Sequence, residues 1–204
     1  MEIMFNNQEI PYLLGLISND KNIDDLVFSI NNKKLFFKKL VSKNIMGIFH
    51  LNNDLKIANY LYKELNVTYL KNKKKEEMSK SELVILSLLA YFTNYNFIYL
   101  KNYLSILDTK MVKQVLTLAS KLKIHLIIED NLDFLFFFLN DFIFIDLDKS
   151  YLKEKDYFLK LNNYRNLPKI VQLIKLSKEK GIELSLTSNV LDLIKDIYKH
   201  VKKN

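Results

Sequence analysis

The sequence predicts an α/β fold with a mainly parallel sheet and a small helical appendage at its C-terminal side. Three observations predict it. Short apolar runs alternate with stretches of helical periodicity from Ser79 to Asp146, the order of strand, helix and strand that a parallel crossover requires. Only 3 Gly and 2 Pro occur in 204 residues, too few turn formers for a loop-rich all-β chain and far from collagen-like repeats. Apolar residues make up 49%, which argues against disorder and allows a sizeable core.

The elements follow in order. Tyr12 to Ile17 reads as a buried strand running into a loop. A helix is expected from Asp24 or Asp25, two acids suited to a first turn. Lys43 to His50 reads as a second strand, and Leu55 to Leu65 as a helix with Ile57, Leu61 and Leu65 on one face. Lys71 to Glu77 is a charged break that reads as a solvated loop. Ser79 with Glu82 three residues later forms a capping box before the apolar positions Leu83, Leu86, Leu89 and Ala90. Phe97 to Leu100 is a strand, Thr109 to Leu122 a helix and Ile124 to Ile128 another strand. Leu132 to Leu139 makes a very apolar short helix, and Phe142 to Ile145 a strand ending at Asp146. A helix starting at Leu167-Pro168 and stopped by Gly181, then one from Asn189 to Val201, form the appendage. The chain thus divides into a main domain over 1–150 and an appendage over 151–204.

Composition excludes several classes of chemistry. With no cysteine, disulfide scaffolds, zinc-thiolate sites and thiol nucleophiles are ruled out. The first nine residues carry two acids and no Lys or Arg, unlike a secretory signal. The longest strongly apolar run, Leu83 to Phe92, falls far short of the ~20 residues that cross a bilayer. A cytosolic protein, or one peripheral to a membrane on the cytosolic side, is expected. Net charge is +8, yet Arg165 is the sole arginine and the lysines are spread along the chain as an AT-rich coding bias would spread them. The charge is therefore a weak pointer to nucleic acid or anionic lipid. None of the three histidines is assigned to catalysis, and His125, inside a strand, reads as a packed core or rim residue.

Met78-Ser79-Lys80-Ser81-Glu82, a helix, and then Phe97 through Asp108 resemble the second half of an ATP-binding cassette (ABC) ATPase, where an LSGGQ or LSGGE signature precedes a helix and a strand ending in DEPTSALD. Ile124 to Ile128 resembles the strand before that family's switch histidine, and Asn131 to Phe134 the turn after it. Gly15 to Leu26 sits where the first strand meets the phosphate loop. Asn44 to His50 resembles the strand ending in the glutamine loop, with His50 at the glutamine. Leu167 to Leu173 with Glu179 to Ile182 is similar to the C-terminal appendage of ATPases from energy-coupling factor transporters. The resemblance spans nearly the whole chain. It implies a P-loop NTPase-like three-layer sandwich with a truncated N-terminal β-subdomain, few antiparallel strands preceding the phosphate loop.

The residues of the chemistry depart from that pattern. A phosphate loop curls glycine N–H groups around phosphates and adds a lysine, whereas Gly15 to Leu26 holds no second glycine. The lysine position falls on Asp24, or, with one residue deleted, the Ser/Thr positions fall on Asp24 and Asp25. Lys21 reads as a solvent lysine before a displaced phosphate ligand. The aspartate and glutamate that hold magnesium and polarise water are replaced by Lys101 and Asn102, and the switch histidine by Asp130 after Glu129. Hydrolysis in the chain's own site is not expected, no catalytic residue or metal ligand is assigned, and no nucleotide is expected on its own phosphate loop.

Cassettes pair head to tail, and Ser79 and Glu82 keep two signature positions while Leu107-Asp108 keeps the end of the loop crossing the dimer. These residues are candidates for contacting ATP and magnesium held by a partner subunit. The plainer reading, a helix cap, outweighs that contact for Ser79 and Glu82, since Lys80 and Ser81 replace the two glycines. The resemblance implies an intact ABC ATPase and a transmembrane coupling protein as partners, met through His50 to Leu65. The alternative is a nucleic-acid-associated structural protein with a degenerate cassette-like head, of the kind that forms rings in CRISPR spacer acquisition, whose lysines would contact phosphates.

Overall fold

The computed structural model describes residues 4–6, 8–18, 28–30, 33–35, 38–41, 55–146, 149–161, 167–186 and 190–201. Two short strands, β1 (Met4–Phe5) and β2 (Gln8–Glu9), precede β3 (Leu13–Ser18), and β4 (Phe28–Ile30), β5 (Lys33–Leu35) and β6 (Lys38–Val41) follow it. Then come α1 (Leu55–Glu64), α2 (Lys80–Asn94), β7 (Phe97–Lys101), α3 (Thr109–Lys121), β8 (His125–Glu129), α4 (Leu132–Phe138), β9 (Asp141–Asp146), β10 (Lys149–Glu154), α5 (Lys169–Glu179) and α6 (Val190–Val201). The main sheet has six strands in the order β10-β9-β3-β8-β7-β6. Its pairs are parallel except β9 with β10.

Strand alternation explains the layers. Ile17, Ile98, Leu100, Leu126, Ile128, Phe142 and Phe144 point to one face and join residues from all six helices, among them Leu61, Val84, Val112, Leu135, Val171 and Leu193. Leu14, Leu16, Phe97, Tyr99, Ile127, Ile143 and Ile145 point to the other face, where Phe5 of β1 and Ile10 cover them. A parallel sheet buried on both faces needs strands that are apolar throughout, which is what β7, β8 and β9 supply. Beside it lies a small antiparallel sheet, β2-β1-β4-β5. The α/β architecture expected from sequence is present, with helices, parallel sheet and a reduced antiparallel sheet as three layers.

Several expectations need correction. A helix starting at Asp24 or Asp25 does not continue through Phe28–Ile30, which is β4, paired antiparallel with β1 and β5; Lys21, Asp24 and Asp25 themselves lie outside the described residues. The expected strand Lys43 to His50 also lies outside them. The place beside β7 is taken by β6, further upstream. Two consecutive lysines disguise β6 as a loop, but an edge strand tolerates them, since charge there deters further pairing. On α1 the inward face is Ala58, Leu61, Tyr62 and Leu65, while Ile57 is 45% exposed. The charged break is not a plain loop either, because 3-10 turns at Thr68–Asn72 and Lys75–Glu77 seat Leu70 in the core. The boundary expected at residue 150 falls inside β10, whose residues all pair with β9, so the sheet runs on to Glu154.

Gly15 marks the tightest point of this packing. A Cβ built there would lie 2.3 Å from the Phe142 ring, which is itself edge-on to Phe158 at 5.1 Å between centroids. Gly15→Ala is expected to lose about 1–3 kcal/mol in urea unfolding, and adding Phe142→Leu should return most of it.

Candidate functional site

Ligands of open α/β sheets bind beyond the carboxyl ends of the strands, where strand order reverses. Here β3 was laid down first yet lies between β8 and β9, so the ends of β3, β8 and β7 form that edge. Lys101 ends β7 and is registered with Glu129 at the end of β8. Its ammonium lies 2.7 Å from Glu129 Oε1, and the Tyr99 hydroxyl donates to Glu129 Oε2. Both carboxylate oxygens are thereby engaged by neighbours on the same sheet face. Asn102 follows with φ 51°, a left-handed conformation that Asn tolerates better than most residues, and its N–H donates to the Glu129 carbonyl at 2.8 Å.

Asp130 ties two loops together. Its Oδ2 accepts from the N–H groups of Leu104 and Ser105, each at 3.1 Å, and its Oδ1 from Asn131 N–H at 2.8 Å. Asn131 Oδ1 in turn accepts from Phe134 N–H, capping α4. The Asp130 carboxylate thus fixes the 3-10 turn after β7. The end of β7 suits no magnesium ion as it stands, because Lys101 puts an ammonium there that is already paired with Glu129. His125 is buried, with Nδ1 3.3 Å from the Pro11 carbonyl and its ring 4.7 Å from that of Tyr12.

The signature-like segment is built as a helix start. Ser79 N–H donates to Glu82 Oε2 at 2.7 Å and Ser79 Oγ accepts from Glu82 N–H at 3.3 Å, completing the capping box. Lys73, which sequence reading left in solvent, reaches both Glu82 oxygens at 2.8 Å. No periodicity rule links residues nine apart across a 3-10 turn. Asp108 caps α3 by accepting from Met111 N–H at 2.8 Å. Ser79, Lys80 and Asp108 remain exposed. His50, like Asp24, lies outside the described residues. Among the described residues no cluster of three or more acids or histidines could hold a metal ion. Beside α1, Lys56, Ile57, Tyr60, Phe92 and Leu122 border an open groove of about 450 Å³.

The Glu82 carboxyl is held down to about 2, by Lys73 first, then by the N–H and hydroxyl of Ser79, against some desolvation. A depressed carboxyl stabilises the fold above its ordinary value of 4.5 and loses that contribution as pH falls toward 2. Glu82→Gln should therefore lower Tm at neutral pH and flatten its fall between those two values. Asp130→Ala should cost about 1–2 kcal/mol of unfolding free energy by stripping the partner from the N–H groups of Leu104, Ser105 and Asn131, with Asp130→Asn recovering part of it.

No family model matches the sequence, and no curated protein does. Solved structures do. A metal-chelate type ABC transporter in an inward-facing conformation matches at TM-score 0.54 and 10% identity, covering 74% of this chain and 76% of that one. A dimeric ATP-binding cassette in a post-hydrolysis state, bound to ADP and Pi, matches at TM-score 0.46 and 13% identity, covering 72% and 89%. Sheet order, layers and the first of these matches lead to one conclusion: the chain has the P-loop NTPase-like fold of an ABC transporter's ATPase domain.

Proposed function

We propose that this chain is a non-hydrolytic ABC-like subunit of a membrane transporter of the energy-coupling factor type. The observation that carries the reading is the Lys101–Glu129 pair at the ends of β7 and β8. Phosphoryl transfer in this fold needs a magnesium-holding carboxylate and a water-polarising one side by side, and the Lys101–Glu129 pair beside the left-handed Asn102 supports the reading that this chain lacks both. An intact ABC ATPase supplies the working phosphate loop and holds ATP and magnesium. This chain presents Ser79 and Asp108 toward that nucleotide, with Glu82 holding the cap behind Ser79.

The exposed Ile57 and Tyr60 on α1, 45% and 44% accessible, and the groove beside them support docking on the helices of a transmembrane coupling protein. No helix among the described residues is long and apolar enough to cross a membrane. The part up to Glu154, where the sheet ends, acts as the cassette-like part on the cytosolic face, and the segment after it as an appendage.

Affinity purification of the tagged chain from its native cells in mild detergent tests this. Recovery of an intact ABC ATPase with a membrane subunit is the expected result, and Ile57→Asp with Tyr60→Asp should lose the membrane subunit. Recovery of DNA with no membrane partner would overturn the reading in favour of a nucleic-acid-bound structural protein. So would magnesium-dependent ATP hydrolysis by the purified chain that a Lys21 change abolishes.

A further inference from the structure

We propose that residues 129–133 make the turn after β7 and the start of α5 one cooperative unit, so that loosening either end loosens the other. Four polar side chains in these five residues each hold a different segment. Glu129 binds the Lys101 ammonium at 2.7 Å and the Tyr99 hydroxyl, at the end of β7. Asp130 accepts from the Leu104 and Ser105 N–H groups, and Asn131 from that of Phe134 in α4. Asp133, in the first turn of α4, accepts from the N–H of Lys169, the first residue of α5, 36 positions further on.

That last contact gives α5 its cap. The residue before the helix is Pro168, which makes no side-chain capping bond, so an orphan N–H of the first turn is satisfied from another helix. The Lys169 ammonium adds little, at 3.8 Å from Asp133 with its side chain 87% exposed. Burial of Ile170, Val171 and Ile174 holds α5 on the domain, but apolar contact is non-directional and leaves the first turn to the cap. α4 passes the constraint on because it is short. Its seven residues are too few to fix a helix alone, so its place is set by Asn131 at its start and by the buried Leu135 and Phe136. Releasing Leu104 and Ser105 from Asp130 frees the backbone at Asn131, directly before the helix, and with it the aim of Asp133. The turn Leu104–Ile106 leads to Asp108, so on the transporter reading a partner's contact there is felt at α5. The coupling itself rests on the hydrogen bonds alone.

Hydrogen exchange of the purified chain, followed amide by amide by NMR, is the test. No transporter partner is present in it, so failure here leaves the transporter reading untouched. Asp130→Ala should raise exchange about tenfold at Leu104 and Ser105 and about threefold or more at Lys169 and Gln172, with the amides of β3 and α2 unchanged. Asp133→Ala should act in the other direction, raising exchange at Lys169 first and at Leu104 and Ser105 as well. The double variant should loosen each end no further than the stronger single one, whereas independent contacts would multiply. Asp130→Asn and Asp133→Asn, which keep one acceptor oxygen, should give the same pattern at smaller size and replace any alanine variant that does not fold. Effects confined to the end that is substituted, multiplied effects in the double variant, or a rise spread evenly through β3 and α2 would overturn the proposal.

Discussion

β3 is hydrogen-bonded to β8 on one side and β9 on the other, and its side chains are buried on both faces of the sheet. A strand so placed has no water to satisfy its backbone, so the sheet must be complete for the strand to be stable at all. Its partners are more than a hundred residues away in sequence, and each fully buried Leu, Ile or Phe in the three strands contributes about 1.5–3 kcal/mol only once all three have met. Gly15 belongs to the same constraint. The Phe142 ring fills the space a side chain would take, which lets β9 bring its phenylalanines against Phe158 and couples the far edge of the sheet to the segment that leads into α5.

This arrangement also fixes where polar groups can stand. The parallel strands end together, so the residues after each apolar run are brought side by side at one edge. In this chain Lys101, Tyr99 and Asn102 converge on Glu129, and Asp130 on the turn after β7. Part-buried charges are costly to leave unpaired, and here they are paired with one another. Fold and chemistry separate for that reason: the sheet requires neutralised polar ends and is indifferent to what neutralises them.

How much was legible beforehand depended on whether the signal was local. The capping box at Ser79 and Glu82, the apolar runs of β7, β8 and β9 and the helix stop at Gly181, with φ +76°, each rest on residues within a turn of one another, and each was readable. β6 was not, because an edge strand carrying Lys38 and Lys39 looks like a loop until its neighbour is known. β4 and β5 were missed for a similar reason, since three-residue strands have too little alternation to detect and exist by pairing with each other and with β1. Ile57 was placed inward because the periodicity of α1 fits two adjacent lines, and packing against α2 chose the one through Ala58, Leu61, Tyr62 and Leu65.

The sequence by itself determined the fold class, the order of the strong elements and which polar residues follow each apolar run, since these follow from hydrophobic period and capping chemistry. Only the tertiary structure decided what those residues do. Lys101 became the partner of Glu129, Lys73 the partner of Glu82, and Asp130 the clasp of a distant turn, because each contact joins residues that only the closing of the sheet or the 3-10 turn brings within hydrogen-bond reach. The outer line of α6 is of the same kind: the sequence makes that helix amphipathic, but only docking through Leu193 and Ile197 shows that Leu191, Ile194 and Tyr198 stay exposed.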